Sequence, residues 1–252
     1  MLPQRDRSAA LGLTHGRVLV VGAGGLGCPA ALSLAAAGVA VLGLIDGDCV
    51  DHSNLHRQIL YRTTDLGRHK AEAAAERIAA SYPEVAVRFF NERLSADNVA
   101  DIFTQFDFVV DGTDQIAAKY LVNDGAVLLG IPFSYAGVLG FQGQTMTILP
   151  GRSACLRCLF PSPPPADDIP TCQDAGVIGA VCGTIGTVQA TEAIKYLSGL
   201  DNLLTDRLLT YDALHARWRT VAWARRRTCP LCGDRPTIQR VGPIDATGDT
   251  CR

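Results

Sequence analysis

Short unbroken runs of aliphatic and β-branched residues alternate with Ala/Leu-rich stretches along the first half of the chain. Arg17-Val-Leu-Val-Val-Gly22 is too short for a helix and too apolar for a loop, and it predicts a buried strand. The glycine-rich hexad Gly22–Gly27 leads into an Ala/Leu-rich helix ending near Gly38, and a second buried strand, Ala40–Ile45, stops at Asp46. A polar stretch runs through Tyr61 and precedes a helix over about Arg68–Ser81. Val85–Phe90 alternates as a strand does, and Phe106–Val110 predicts another that ends at Asp111. A helix over Ile116–Leu129 and a strand over Ile131–Val138 follow. Strands alternating with helices predict an α/β fold, a doubly wound, Rossmann-like and mostly parallel sheet.

The pattern then changes. Gln144–Leu149 predicts a later strand, and Cys155-Leu-Arg-Cys158 follows it. The Pro-rich segment 160–171 can be neither helix nor central strand. Gly176–Leu200 predicts one close-packed helix, and Arg207–Asp212 and Arg217–Trp223 predict two further strands before Cys229-Pro-Leu-Cys232. The expected organisation is a short N-terminal segment (1–16), a main domain with an antiparallel C-terminal extension (17–232), and a loose tail (233–252).

Composition narrows the function classes. With 48% apolar and 19% charged residues, the 252-residue chain can bury a full core, which excludes wholesale disorder. A net charge of −2 argues against a nucleic-acid binder. No apolar leader or membrane-length run is present in the sequence, so a cytoplasmic protein with no membrane partner is expected. Nine cysteines are far below disulfide-scaffold density, and four of them form C-x-x-C pairs, which points to metal or redox chemistry. Only Lys70, Lys119 and Lys195 break an otherwise all-Arg usage among 23 basic residues, marking places where a compact point charge is wanted.

Gly22-x-Gly24-x-x-Gly27 between a strand and a helix allows phosphate to approach backbone N–H groups at a helix N-terminus. Asp46, at the end of the second strand, is placed to accept from ribose hydroxyls. Glycines and acid alone do not separate a dinucleotide from ATP. Arg57 and Lys70 bear on that choice: hydride transfer needs no extra cations, whereas a carboxylate attacking an α-phosphate needs charge neutralised. Taken singly, each reads first as a solvated surface base. Asp114, in Asp111-Gly-Thr-Asp114 at the carboxyl edge of the fourth strand, is a candidate Mg²⁺ ligand or else a helix-capping turn residue.

GAGGLG, LIDGDCVDHSNLHRQ, GRHKAEAA, DGTD, CLRC, TCQDAGVIG and CPLC occur in an order and spacing that resembles the ThiF/MoeB/HesA family, the adenylating enzymes akin to ubiquitin-activating enzymes. The resemblance runs from about Arg17 to Cys232. It implies ATP- and Mg²⁺-dependent adenylation of the C-terminal Gly-Gly carboxylate of a small ubiquitin-like sulfur carrier protein, with release of pyrophosphate, for thiamine, molybdopterin or related biosynthesis. By position, Gly25, Asp46, Ser53, Asn54 and Arg57 bind the nucleotide, Lys70 contacts its phosphates, and Asp114 with Gln115 sits at metal and nucleotide. Cys155, Cys158, Cys229 and Cys232, brought together by the fold, suit a tetrahedral structural Zn²⁺, with redox dithiols as the rival. Cys172, just ahead of the long apolar helix, matches a family cysteine that is a candidate for a covalent link to the carrier. The implied partners are the carrier, a persulfide sulfurtransferase or cysteine desulfurase as sulfur donor, and a second copy of the chain.

Cys28, Cys49 and Cys182 have no partner spacing and read as structural thiols. The family's usual N-terminal helix carries an arginine that reaches the partner subunit's nucleotide, and here Arg5 and Arg7 are the stand-ins. Alternatives are a tRNA-modifying relative, an NAD-dependent oxidoreductase, and a non-catalytic scaffold that binds a ubiquitin-like partner.

Overall fold

The computed structural model describes residues 12–164 and 176–242. Strands β1 (Arg17–Val21), β2 (Val41–Ile45), β3 (Ala86–Phe90), β4 (Phe108–Asp111), β5 (Phe133–Leu139), β6 (Gln142–Ile148), β7 (Arg207–Asp212) and β8 (Arg217–Ala222) form one sheet among the described residues, in the order β3-β2-β1-β4-β5-β6-β7-β8. The first five run parallel, and β5 to β8 are joined antiparallel. This is the Rossmann-like sheet with an antiparallel extension expected from the sequence. Helices α1 (Gly27–Ala37), α2 (Lys70–Ser81), α3 (Val99–Phe103), α4 (Ile116–Leu129), α5 (Leu156–Leu159) and α6 (Gly179–Leu197) accompany it.

Successive side chains of a strand leave opposite faces, and the core divides accordingly. Val18 and Val20, Leu42 and Leu44, and Phe108 and Val110 face one side, where Leu34 of α1, Ile78 of α2 and Ala193 of α6 cover them. Leu19, Val21, Ile45 and Val109 face the other, against Phe103 of α3 and Val122 and Ala126 of α4. Burying one Ile or Phe side chain is worth ~1.5–3 kcal/mol, several times a helical surface pair, so packing decides where these helices lie.

The helix boundaries differ from the expectation in two instructive places. Arg68 and His69 do not open α2, because the Arg68 carbonyl accepts from Val50 N–H at 2.8 Å and His69 bridges Cys49 as extended backbone. Gly176 does not open α6: its backbone is left-handed (φ 66°), its carbonyl accepts from Gly140 N–H, and Val177 pairs with Gly140. β5 and β6 make a tighter hairpin than the hydrophobic pattern suggests, with Leu139 opposite Gln142. No helix among the described residues is long and apolar enough to cross a membrane.

The register brings the chemistry to one edge. Val21 pairs with Ile45 on one side and Asp111 on the other, so the residues after β1, β2 and β4 emerge together where the strand order turns back on itself. That is the crevice in which doubly wound sheets bind ligands.

Candidate active site

The glycine turn leaves β1 with Gly22 at φ 87°, in the left-handed region, and a side chain there would meet the Gly112 carbonyl oxygen at 3.0 Å. A β-carbon on Gly27 would fall 1.8 Å from the Gly22 carbonyl oxygen, so the helix start can close on the turn only with glycine there. Ala23 N–H donates to Asp46 Oδ2 at 2.8 Å, and Asp48 N–H donates to Asp46 Oδ1 at 2.8 Å. Asp46 thus braces the turn while keeping acceptor capacity on both oxygens. Burial raises its carboxyl above the ordinary range against the opposing pull of Lys70 and the two N–H bonds. The N–H groups of Gly24 and Gly25 have no partner among the described residues, which leaves them as anion donors at the start of α1.

The segment after β2 folds into a 3₁₀ turn, His52–Asn54, capped by Asp51, whose Oδ1 accepts from Ser53 N–H at 2.8 Å. Asn54 Oδ1 accepts from Arg57 Nη2 at 2.6 Å and the Ser53 carbonyl accepts from Arg57 Nη1 at 3.4 Å, so Ser53, Asn54 and Arg57 act as one unit. Arg57 Cδ comes within 3.5 Å of where a β-carbon on Gly25 would stand, placing the cation's stem on the turn. Lys70, the first residue of α2, is buried to 6% exposure, and its Nζ donates to Asp48 Oδ2 at 3.1 Å. Partial burial pushes the Asp48 carboxyl up, but Lys70 and Arg93 outweigh it and hold it below the ordinary range.

Across the crevice, Asp111 is fully buried, accepting from Thr113 N–H at 3.0 Å and from Thr113 Oγ1 at 2.6 Å on one oxygen and from Lys119 Nζ at 3.3 Å on the other. Lys119 also donates to the Thr113 and Ala136 carbonyls at 2.6 and 2.5 Å. The pair locks the turn that projects Asp114, which is exposed and takes no hydrogen bond or ion pair among the described residues. Gln115 is the N-cap of α4 and neither it nor Asp114 caps the helix through a side chain, so the capping alternative for Asp114 has no support.

Several contributors carry little sequence signal. Tyr61 and Cys182 reach the site through contacts between segments, not through any spacing pattern, whereas Asp48 and Asp111 stand inside motifs visible in the sequence without a role assigned to them there. Burial pushes the Cys182 thiol up to about 11 despite the nearby Arg57, so this residue is an inert thiol packed against the glycine turn. Gln58 is buried beside Gly24 with its Oε1 unpartnered.

The four knuckle cysteines converge. Their sulfur atoms all lie within 4.8 Å of one another, with Cys155–Cys229 at 3.6 Å and Cys158–Cys232 at 3.3 Å. A tetrahedral zinc with ~2.3 Å bonds spaces its sulfurs by about 3.8 Å, so the donor set fits such an ion. Arg226 N–H points at Cys158 Sγ from 3.4 Å and Cys232 N–H at Cys229 Sγ from 3.5 Å, as thiolate ligands require. Beyond them, Thr237 and Ile238 N–H donate to the Pro230 carbonyl, and Ile238 and Val241 pack on the core. Cys172, Arg5 and Arg7 lie outside the described residues.

These features define a doubly wound, Rossmann-like α/β protein with a glycine turn and a cationic flank at the carboxyl edge of its sheet. The chain belongs to the ThiF family, whose pattern matches residues 3–231. It is 43% identical over 251 residues to a sulfur carrier protein adenylyltransferase of Thermus thermophilus, covering 98% of this chain and 93% of that one. It is 39% identical over 247 residues to the adenylyltransferase and sulfurtransferase MOCS3 of Dictyostelium discoideum, covering 97% of this chain and 58% of that longer protein. Its fold matches the crystal structure of Escherichia coli MccB with MccA-N7isoASN at a TM-score of 0.79 and 20% identity, over 90% of this chain and 69% of that one.

Proposed function

We propose that the chain is an ATP-dependent adenylyltransferase that activates the C-terminal Gly-Gly carboxylate of a small ubiquitin-like sulfur carrier protein. The observation that carries this reading is that Arg57 lies on the glycine turn, beside the Gly24 and Gly25 N–H groups that have no partner among the described residues, with the buried Lys70 opening the helix after the Ser53–Gln58 segment and Asp114 exposed on the turn after β4. A carboxylate brought to about 4 Å from a phosphate charge meets roughly 4 kcal/mol of repulsion at an effective dielectric of 20, or about a thousandfold in rate. Two fixed cations offset that cost, and a dehydrogenase has no comparable need for them.

Asp46 takes the ribose hydroxyls, the glycine turn and Lys70 hold the phosphate chain, and Arg57 clamps the oxygens of the phosphate under attack. The carrier carboxylate attacks the α-phosphorus in line. A new C–O–P linkage forms, the bond to the β-phosphate oxygen breaks, and pyrophosphate leaves with that electron pair. No general base is required, because the nucleophile is already ionised. Asp114, with Gln115 beside it, would hold Mg²⁺, whose chemistry is charge neutralisation on the phosphates. The Cys155, Cys158, Cys229 and Cys232 cluster would hold a structural Zn²⁺ that ties the last segment to the main domain. The acyl group then passes to sulfur with release of AMP, either to the Cys172 thiolate or to a persulfide on a separate donor protein. The working form is a cytoplasmic homodimer. ATP–pyrophosphate exchange assayed with each Gly-Gly carrier of the source organism tests the reading: exchange that needs one carrier and is lost when its final Gly is removed is the expected result, and no exchange with any carrier overturns it.

A further inference from the structure

Tyr61 follows the Ser53–Gln58 segment, and its side chain is buried to 6% exposure in the core beneath the glycine turn. Its hydroxyl donates to the Ala23 carbonyl at 2.8 Å and also faces the Lys70 carbonyl at 3.1 Å. A hydroxyl has one hydrogen, so the two carbonyls share it, and the phenol spans the gap between the glycine turn and the first residue of α2. The consequences for the turn follow from peptide geometry. No cis peptide bond occurs among the described residues, so the Ala23–Gly24 unit is trans and planar, and its N–H points opposite to its C=O. Holding the Ala23 carbonyl inward on Tyr61 therefore turns the Gly24 N–H outward, toward the mouth of the crevice. Asp46 holds the other side of the same residue through Ala23 N–H, and Cys28 Sγ adds a weaker donor to the Ala23 carbonyl at 3.3 Å.

We infer that Tyr61 is a positioning residue for the phosphate chain: through one shared hydroxyl it sets both the direction of the Gly24 N–H and the spacing between that donor and the Lys70 ammonium. The inference rests on the adenylation reading, since it needs a polyphosphate ligand that bridges the two elements. Tyr61 itself touches no substrate. It is neutral at every working pH, because burial pushes its phenol far up, so the brace does not weaken with pH.

The test is Tyr61→Phe, which keeps the ring and removes only the hydroxyl. Binding of ATP and of adenosine is measured by calorimetry on the full chain, with thermal unfolding alongside. Loss of one hydrogen bond with its alignment is expected to weaken ATP about five- to tenfold while leaving adenosine, which Asp46 holds, within about twofold. In a Lys70→Ala background the same substitution is expected to cost less, because one of the two elements it spaces has lost its charge. Equal loss for ATP and adenosine, unchanged ATP binding, or a fully additive double variant would each overturn the inference. Failure of the wild-type chain to bind ATP would remove the adenylation reading itself, and the inference with it.

Discussion

The sulfur of Cys182, at the start of α6, lies 3.1 Å from the point at which a β-carbon on Gly25 would stand. The glycine turn is therefore backed by a helix that arrives from a segment more than 150 positions away, and a side chain at Gly25 would crowd that helix as well as the proposed phosphate path. Gly25→Ala is expected to raise the KM for ATP about tenfold, and adding Cys182→Ala is expected to recover several-fold of that loss. Steady-state exchange kinetics on the two variants check this. A double variant no better than the single one would show that the contact is incidental.

The buried pair Lys119–Asp111 should be the most sensitive place in the Asp114 turn. Lys119→Met leaves a fully buried carboxylate without its cation, and a broken buried pair costs about 3–5 kcal/mol. Lys119→Arg keeps the charge and should lose clearly less. Urea unfolding followed by circular dichroism measures both. A Met variant within about 1 kcal/mol of wild type would contradict the role assigned to the pair.

Removing the zinc proposed for the cysteine cluster should loosen the C-terminal extension before the parallel sheet. Cys232→Ser is expected to abolish stoichiometric zinc retention and to lower Tm by more than about 5 °C. Metal analysis together with differential scanning calorimetry tests it. A Cys232→Ser protein that keeps both its zinc and its Tm would rule out the four-sulfur site.

In the proposed site, the pH dependence of nucleoside binding would follow from Asp46. Burial holds its carboxyl above the ordinary value, so acidification protonates it sooner than an ordinary aspartate near pH ~3.9 and removes an acceptor needed by Ala23 N–H or by ribose. Asp48 is held below the ordinary range by Lys70 and Arg93, so it titrates lower and does not set this window. Adenosine affinity should therefore fall on acidification with a midpoint above ~3.9, and Asp46→Asn should bind weakly with a flat profile. A wild-type midpoint at or below that value would contradict the assignment.

The parallel half of the sheet was legible because each strand is a short apolar run that stops at a glycine or an aspartate of the candidate site: Val21 at Gly22, Ile45 at Asp46, Val110 at Asp111. Periodicity could not reveal α3, whose five residues make little more than one helical turn. The α6 start lies later than the hydrophobic pattern suggests, because Gly176 and Val177 are apolar and small like the helix that follows, while Gly176 is left-handed and a bridge to Gly140 holds Val177 out of the helix. The glycine turn, Asp46, Arg57, Lys70 and Asp114 could be named from local motifs. Tyr61 and Cys182 could not, since the contacts to Ala23 and Gly25 join segments that the sheet register alone brings together.

In the proposed adenylation, Lys70 and Asp114 serve the phosphate chemistry of carboxylate activation. Carrier-dependent ATP–pyrophosphate exchange in Lys70→Ala and Asp114→Ala, each compared with wild type at matched fold stability, tests it most directly. Loss of a charged transition-state contact is expected to lower kcat/KM by about a hundredfold or more in each variant. Exchange that survives both substitutions at near wild-type rates would contradict the account.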